Sequence, residues 1–275
     1  IYFNGSSSIR WASNIFRNEQ NEESDLLWTI SPGFEINIGR GISNADFTVI
    51  TRYDIIRYED YDRLDTELFH IEALGTYESS RLSLNGSASF SEIKMNDGTN
   101  NVTNDLVEFD KTSGELDAEY RVSPKFSFSA GIRYNETDYQ TFRTLFSDRA
   151  NTTYPLSIYY DLTPKLDLIL GYTYSVTDIE GSNSFGGIFD PISSYEQDTN
   201  FFNIGLRGNI SSKLTGFFKI GYRTVSAGDT NLTNGGVPVR RIDRIDRDML
   251  GLDAKLTWMA TSKLLYQLAL SREYN

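Results

Sequence analysis

Apolar and polar residues alternate along most of the chain, most clearly in its second half. Between positions 126 and 135, the apolar set is Phe126, Phe128, Ala130, Ile132 and Tyr134, and the polar set is Ser127, Ser129, Gly131, Arg133 and Asn135. The pattern recurs over 166–176 and 250–258. Because successive side chains of a strand point to opposite faces, this period of two predicts a sheet with one apolar and one polar face.

Thirteen segments show this strand-like pattern. They lie at about 5–17, 24–38, 44–58, 65–77, 81–95, 113–122, 126–139, 151–162, 166–178, 199–210, 214–226, 247–258 and 264–275. The short connections between them are at about 39–43, 78–80, 123–125, 163–165, 211–213 and 259–263, and the long polar ones at about 18–23, 59–64, 96–112, 140–150, 179–198 and 227–246. Short and long connections that alternate in this way predict an all-β, transmembrane, antiparallel up-and-down β-barrel.

A short motif recurs at four of the predicted short turns. Its copies are Ser123-Pro124-Lys125-Phe126, Thr163-Pro164-Lys165-Leu166, Ser211-Ser212-Lys213-Leu214 and Thr261-Ser262-Lys263-Leu264. Nine residues after the first three lysines come Tyr134, Tyr174 and Tyr222, whereas Arg272 follows the fourth. We expect the tyrosines to mark the outer membrane interface, and Phe126, Trp258 and the leucines after the lysines to mark the inner one.

Residues 1–275 are predicted to form a single transmembrane β-barrel domain. Thirteen strands is an odd number, whereas bacterial single-chain barrels usually have an even number. We therefore expect about 14–18 strands in the intact molecule, because strands were missed in the sequence or because a terminal strand is lacking. Pro32 and Pro155 lie inside strand segments, where each predicts a bulge or a local ladder defect.

Composition agrees with a barrel in the bacterial outer membrane and narrows its chemistry. Apolar residues are 39% of the chain, whereas Tyr and Phe number 17 each. No segment approaches the about 18 consecutive apolar residues of a membrane helix. The net charge of −12 argues against nucleic acid as a partner. Cysteine is absent, which excludes disulfides and thiolate metal sites, and we expect no cofactor and no metal.

Charged residues occur on the strand face that the alternation assigns to water. The lumen-lining candidates are Arg133, Asp161, Asp167, Arg207, Lys219, Arg223, Asp253 and Lys255. Further charges expected on this face are Glu35, Arg52, Asp54, Glu115, Asp117, Glu119 and Arg121. One interpretation is a solvated interior with cross-strand ion pairs. The other is a polar conduit whose charges set solute preference.

Two other features are candidates for chemistry. His70 is the single histidine, so a Ser-His-Asp site would have to use it, but no serine motif accompanies it and we predict no enzymatic activity. The run from Arg240 to Asp248 is the densest in charge. We expect it to form a loop rim or an extended hairpin held by its own Arg–Asp pairs, or a contact for a receptor or polysaccharide.

The stretch Tyr154-Pro155-Leu156-Ser157-Ile158-Tyr159-Tyr160-Asp161-Leu162-Thr163-Pro164-Lys165-Leu166, followed by Leu170-Gly171-Tyr172, resembles outer-membrane β-barrel porin families. The chain is most similar to the kind often found with exopolysaccharide synthesis and export genes, and the likeness is strongest from about 115 to 275. The resemblance implies an outer-membrane barrel and carries over no catalytic residues to this chain.

The sequence leaves two functions open. The first is a passive, porin-like channel for polysaccharide or small polar solutes. The second is a structural barrel that acts as an anchor or scaffold for a partner. Expected partners are membrane lipid, lipopolysaccharide and, for the first function, a polysaccharide or a periplasmic export protein. A soluble β-sandwich is the remaining alternative, and it predicts a protein that stays in solution without detergent.

Overall fold

A computed structural model describes residues 1–16, 22–39, 41, 44–95, 105–143, 145–181, 194–234, 237–261 and 263–272. Its strands are β1 (Tyr2–Ala12), β2 (Asp25–Ile38), β3 (Ala45–Tyr58), β4 (Thr66–Glu78), β5 (Leu82–Met95), β6 (Val107–Ser123), β7 (Phe126–Tyr139), β8 (Arg149–Thr163), β9 (Leu166–Ile179), β10 (Tyr195–Asn209), β11 (Leu214–Ala227), β12 (Thr230–Asn234), β13 (Val237–Ile242), β14 (Arg247–Thr261) and β15 (Leu264–Arg272). One turn of 3₁₀ helix, Asp62–Leu64, lies between β3 and β4. Within these ranges, no helix has the length and apolar character needed to cross a bilayer.

Thirteen of the strands form one antiparallel up-and-down sheet. Each strand pairs with its neighbours in the chain, except that β11 pairs with β14 because the small β12–β13 hairpin stands apart. β1 and β15 end the order and run in the same direction, and no pairing joins them among the described residues. The all-β, up-and-down architecture that the alternation predicts is therefore confirmed, as are the thirteen strands of its sheet. The larger number of 14–18 stays a prediction.

The concave face of the sheet is identified by a contact that skips three strands. Arg207 on β10 is bonded to Glu119 on β6, although β7, β8 and β9 separate these two strands in the sheet. Two side chains can meet in this way only if the sheet curls toward the face that carries both. Register then assigns each residue of the paired strands to this lumen face or to the opposite, outward face.

Burial on the two faces is the reverse of that in a soluble domain. On the outward face Leu170 is 61% exposed, Phe202 56% and Ile204 51%. On the lumen face Ile169 is 1% exposed and Asn203 5%. Large apolar side chains on the convex surface and polar ones inside are typical of a barrel whose outer solvent is lipid.

The outward apolar residues form continuous rows across the strands. Register places Ile158, Leu170, Ile204, Ile220 and Leu252 in one such row. The next row toward the long loops contains Tyr172, Phe202 and Tyr222, and the next toward the short turns contains Leu168, Leu206 and Phe218. These adjacent rows make a band rather than isolated contacts, which fits a hydrocarbon layer around the sheet.

The repeated turn motif has a common hydrogen-bonding role. In all four copies, the backbone N–H of the lysine donates to the side-chain oxygen of the Ser or Thr two residues earlier, at 3.3 to 3.4 Å. The first-position hydroxyl thus satisfies a backbone donor that the tight turn leaves unpaired. In three copies the ladder also shifts register at the turn. The motif is therefore a turn signal that serves the same purpose at each repeat.

Both prolines inside strands interrupt a ladder locally, as the sequence predicts. Pairing of β2 with β3 stops after Ile30 and resumes at Gly33, which leaves Pro32 in the gap. Pairing of β7 with β8 stops on either side of Pro155, while Pro155 remains in register with β9. Register is the same before and after each gap, so these are ladder defects and not bulges. Proline lacks the N–H that the ladder needs there.

At the long-loop end, the first connections pack into a small apolar cluster. Its buried members are Ile15, Phe16, Leu27, Leu64 and Leu106. Beneath it the carboxylate of Asp25, only 1% exposed, accepts backbone N–H groups from residues 59–61. This contact ties the start of β2 to the connection between β3 and β4.

Two predicted strand bounds are wrong at the long-loop side, since β1 ends at Ala12 rather than near 17 and β6 begins at Val107 rather than near 113. β8 and β10 begin at Arg149 and Tyr195, within four residues of the predicted 151 and 199. β6, β8 and β10 continue because the ladder pairs backbone groups, regardless of how polar the side chains are. The predicted turns at 39–43 and 259–263 and the loops at 18–23, 96–112, 140–150, 179–198 and 227–246 lie partly outside the described residues.

Candidate functional site

A cavity of about 670 Å³ lies on the lumen face of β7 to β11, β14 and β15. Its lining includes Arg133, Arg149, Asn151, Thr153, Pro155, Thr173, Ser175, Thr177, Gln197, Thr199, Phe201, Phe217, Lys219, Arg223, Val225, Asp253, Lys255 and Ser271. Hydroxyl, amide and cationic groups dominate this wall. Such a surface is suited to a hydrated, polar solute and not to an apolar one.

The eight predicted lumen-lining residues all lie on the lumen face. Five of them line the cavity, namely Arg133, Lys219, Arg223, Asp253 and Lys255. Arg207 and Asp167 are bonded to each other at 2.8 Å, and Arg223 and Asp253 at 3.3 Å. Asp161 faces Asp167 in register near the short turn between β8 and β9. The structure thus brings seven of the eight into the cavity or into ion pairs, while their part in transport stays a prediction.

Arg207 is the centre of a polar cluster that joins five strands, β6 to β10. Its guanidinium donates two parallel hydrogen bonds to Glu119 on β6, at 2.7 and 2.8 Å, and a third to Asp167 on β9 at 2.8 Å. The same group lies 3.4 Å from the ring centroid of Tyr159 on β8. Ser127 donates to Glu119 at 2.9 Å. Bidentate, charge-assisted bonds of this kind fix geometry, so the Arg207 cluster spans the lumen rigidly between β6 and β10.

Buried lumen-facing side chains occupy the space between the Arg207 cluster and the cavity. Ile169, Phe201, Asn203 and Arg223 are each 6% exposed or less. The guanidinium of Arg223 lies 4.4 Å from the ring centroid of Phe201. The lumen of this part of the sheet is therefore filled by the protein's own side chains, and any path through it passes around them.

Two glycines make room for this filling. A Cβ at Gly251 on β14 would lie 2.5 Å from the Phe201 ring, and one at Gly171 on β9 would lie 2.6 Å from the amide oxygen of Asn203. Both contacts are shorter than non-bonded carbon atoms allow. The absence of a side chain at these positions lets Phe201 and Asn203 lie flat along the wall.

Charge is segregated between the two halves of the lumen face. On the described lumen-facing positions of β7 to β11, β14 and β15 there are seven basic residues, Arg133, Arg149, Arg207, Lys219, Arg223, Arg247 and Lys255, and three acidic ones, Asp161, Asp167 and Asp253. On those of β2 to β6 there are nine acidic residues, Asp25, Glu35, Asp46, Asp54, Glu72, Glu78, Glu115, Asp117 and Glu119, and three Arg or Lys residues, Arg52, Lys111 and Arg121. The cavity belongs to the basic half.

His70 lies on the lumen face of β4, consistent with the structural role expected for it. Its Nε2 is 3.1 Å from the carboxylate of Asp54, which is also 3.0 Å from Nε of Arg52. Among the described residues, no serine is hydrogen-bonded to His70, and no group of His, Asp or Glu side chains has the arrangement of a metal site. Among the described residues, the geometry places His70 against a carboxylate and not against a serine hydroxyl.

A hairpin of β12 and β13 follows β11, and it contains only the start of the charged run, up to Ile242. Arg241 is bonded to Asp243 of the run at 2.6 Å and to Asp229 before the hairpin at 2.5 Å. The expected Arg–Asp pair within the run is therefore present, whereas the rest of the run lies outside the hairpin. A contact of this hairpin with a receptor or polysaccharide stays a prediction.

This hairpin makes a testable prediction for pH. The bonds from the Arg241 guanidinium and then from the Arg244 N–H hold the pKa of Asp229 below its usual value of 3.8. Because the pKa of Asp229 is lowered in the folded protein, its pair with Arg241 stabilises the hairpin above pH 3.8. This stabilisation is lost as the pH falls through the lowered pKa of Asp229. Arg241→Gln should raise the pKa of Asp229 toward 3.8, as measured by a carboxyl carbon NMR titration. An unchanged titration in Arg241→Gln, with Arg247→Gln as control, would contradict this assignment.

The sequence candidates were all charged residues, so the uncharged residues of the site, among them Tyr159 and Phe201, were missed although they share the face of the polar residues. Arg149 was also missed, because it lies in the predicted loop at 140–150, two residues before the predicted start of β8. The alternation of side chains along the strand could have identified these residues from the sequence. Counting back in steps of two from Asp161 reaches both Tyr159 and Arg149.

An up-and-down sheet with an apolar outer band, a polar concave face and a cavity on that face defines a membrane β-barrel of the porin type. The chain belongs to the family described as Putative beta-barrel porin 2, whose model matches residues 4–274. No curated protein matches the chain.

Proposed function

We propose that this protein is a passive channel of the bacterial outer membrane for small polar solutes. The observation that carries the proposal is the cavity of about 670 Å³, with a polar and charged lining, on the inner face of a sheet whose outer face is apolar. Membership of a porin family supports a channel in the outer membrane. Diffusion through a polar lumen needs no catalytic residue and no cofactor.

The size of the cavity favours small solutes over a polymer in transit. Cavities of roughly 300–1,000 Å³ enclose small molecules. A polysaccharide chain would have to pass the Arg207 cluster, whose bonds to Glu119 and Asp167 span the lumen face. Polysaccharide, exported with a periplasmic partner, is therefore the second candidate solute. Its passage requires the Arg207 cluster to open.

A structural role is the second candidate, and the same cluster favours it. Side chains that bridge β6 and β10 and fill the space beside them stiffen a barrel and narrow its lumen. A barrel that serves as an anchor or scaffold gains from both effects. In this role the outward band contacts lipid, and the rims contact lipopolysaccharide or a partner protein.

Single-channel recording in planar bilayers tests the channel. The purified protein should give steady, lasting current steps after insertion. Heat-modifiable migration in detergent gels reports on the fold in the same preparation. A folded protein that inserts and remains silent would favour the scaffold, whereas a protein that stays in solution without detergent would exclude both barrel functions.

A further inference from the structure

Three cations in the cavity wall form no ion pair with a described residue, namely Arg149, Lys219 and Lys255. The ammonium group of Lys219 lies 5.4 Å from the Phe217 ring centroid. Lys219 faces Asp253 in register, but the carboxylate of Asp253 is bonded to Arg223. These charges come from β8, β11 and β14, so they approach one space from different strands.

The acidic groups near the cavity are already engaged. Asp253 is the single acid among the described lining residues, and it is bonded to Arg223. Arg133, a further lining cation, forms ion pairs with Glu115 and Asp117 on β6, at 3.1 and 3.0 Å. The cavity therefore keeps an excess of positive charge, in a chain whose net charge is −12.

A concave wall of one sign of charge concentrates ions of the opposite sign. Field lines are focused in a cleft with low-dielectric walls, and the local concentration of counter-ions rises. Rings of Arg and Lys are the usual filter of anion pores. The hydroxyl of Thr199 lies in the same wall and can donate to an anionic oxygen, whereas those of Thr153 and Ser175 are hydrogen-bonded to each other.

We propose that this cavity is a binding site for small solutes with two or more anionic groups, held by Arg149, Lys219 and Lys255. Its consequence for transport, a preference for anions over cations, rests on the proposed channel function. Binding itself does not, because the cavity exists whether or not the lumen conducts.

The test measures binding and selectivity separately. The probe is a hydroxypyrene trisulfonate dye, a trianion, followed by fluorescence anisotropy with the detergent-solubilised protein at low salt. We expect saturable binding that citrate displaces and that sucrose at the same concentration does not. The triple variant Arg149→Gln/Lys219→Gln/Lys255→Gln should weaken binding at least about tenfold. Folding of each variant is checked by its heat-modifiable gel shift.

The matched control removes the same charge elsewhere. Lys125→Gln/Lys165→Gln/Lys263→Gln neutralises three exposed lysines at the short turns, outside the cavity lining. It should leave dye binding within about twofold, since screened surface charges act weakly at a distance. Equal loss in both triple variants, or no displacement by citrate in the wild type, would overturn the proposal. If the cavity variant does not fold, the citrate and sucrose competition on the wild type decides.

Reversal potentials in a KCl gradient separate this inference from the channel proposal. Current with an anion preference that disappears in the cavity variant supports both. Current without dye binding or anion preference overturns the binding site and leaves the channel. Dye binding by a folded protein that carries no current overturns the channel and leaves the binding site.

Discussion

Ile204→Arg should destabilise the protein in a bilayer by about 2–4 kcal/mol, the usual cost of a cation on the lipid face near the midplane of a barrel. Ile204 lies in β10, is 51% exposed and points outward. It is the centre of the band, with Leu170 and Ile220 beside it in register and further apolar rows on either side. The measurement is denaturant unfolding in lipid vesicles.

The matched control is Thr199→Arg in the same strand. Thr199 lines the cavity, so its side chain meets water, and the same substitution should cost less than about 1 kcal/mol. Equal losses of unfolding free energy at the two positions would mean that both faces of β10 meet the same solvent. In a soluble sandwich, Ile204→Arg would instead be nearly neutral, because an exposed position in water accepts a cation.

Arg207→Met should destabilise the folded state by about 1–3 kcal/mol and increase the single-channel conductance. The substitution removes the three hydrogen bonds to Glu119 and Asp167, and leaves these carboxylates facing each other without a cation. A charged group that loses its partner in a half-buried site costs about this amount. Conductance rises because the contact that joins β6 to β10 across the lumen is lost.

Arg133→Met is the control that separates stability from blockage. Arg133 bonds Glu115 and Asp117, which lie on the neighbouring strand β6, so it bridges nothing across the lumen. Its loss should lower stability by less, because its pairs are more exposed, and although Arg133 lines the cavity, conductance should rise less than in Arg207→Met because the contact between β6 and β10 remains. A conductance increase of the same size in both variants would show that the Arg207 cluster is not the restriction. Adding Glu119→Gln to Arg207→Met should recover part of the lost stability, since one unpaired charge is removed.

The two variants and the cavity variant test different parts of the lumen. Ile204→Arg concerns which face meets lipid, Arg207→Met concerns the bridge between β6 and β10, and the Arg149, Lys219 and Lys255 substitutions concern solute charge. Ile204 lies on the outward face and the other residues on the lumen face, so the stability effect of Ile204→Arg should add to theirs within about 0.5 kcal/mol when combined.

The alternation of residues by itself determined the fold class and the face of nearly every side chain. Period two is a local property of the extended chain, so the outward position of Leu170 and the inward position of Arg207 follow from counting. The turn motif and the two prolines were equally local. Their hydroxyl donors and ladder gaps involve only neighbouring residues or strands.

The tertiary structure alone decided which lumen charges are engaged and which are free to meet a solute. Glu119 and Arg207 are 88 residues apart in the chain, and they meet because the sheet curls. The cavity lies on this concave face, where Arg223 pairs with Asp253 on the neighbouring strand and Arg149, Lys219 and Lys255 form no ion pair with a described residue. Curvature arises from the twist and stagger of many strands together, and no single segment of the sequence encodes it.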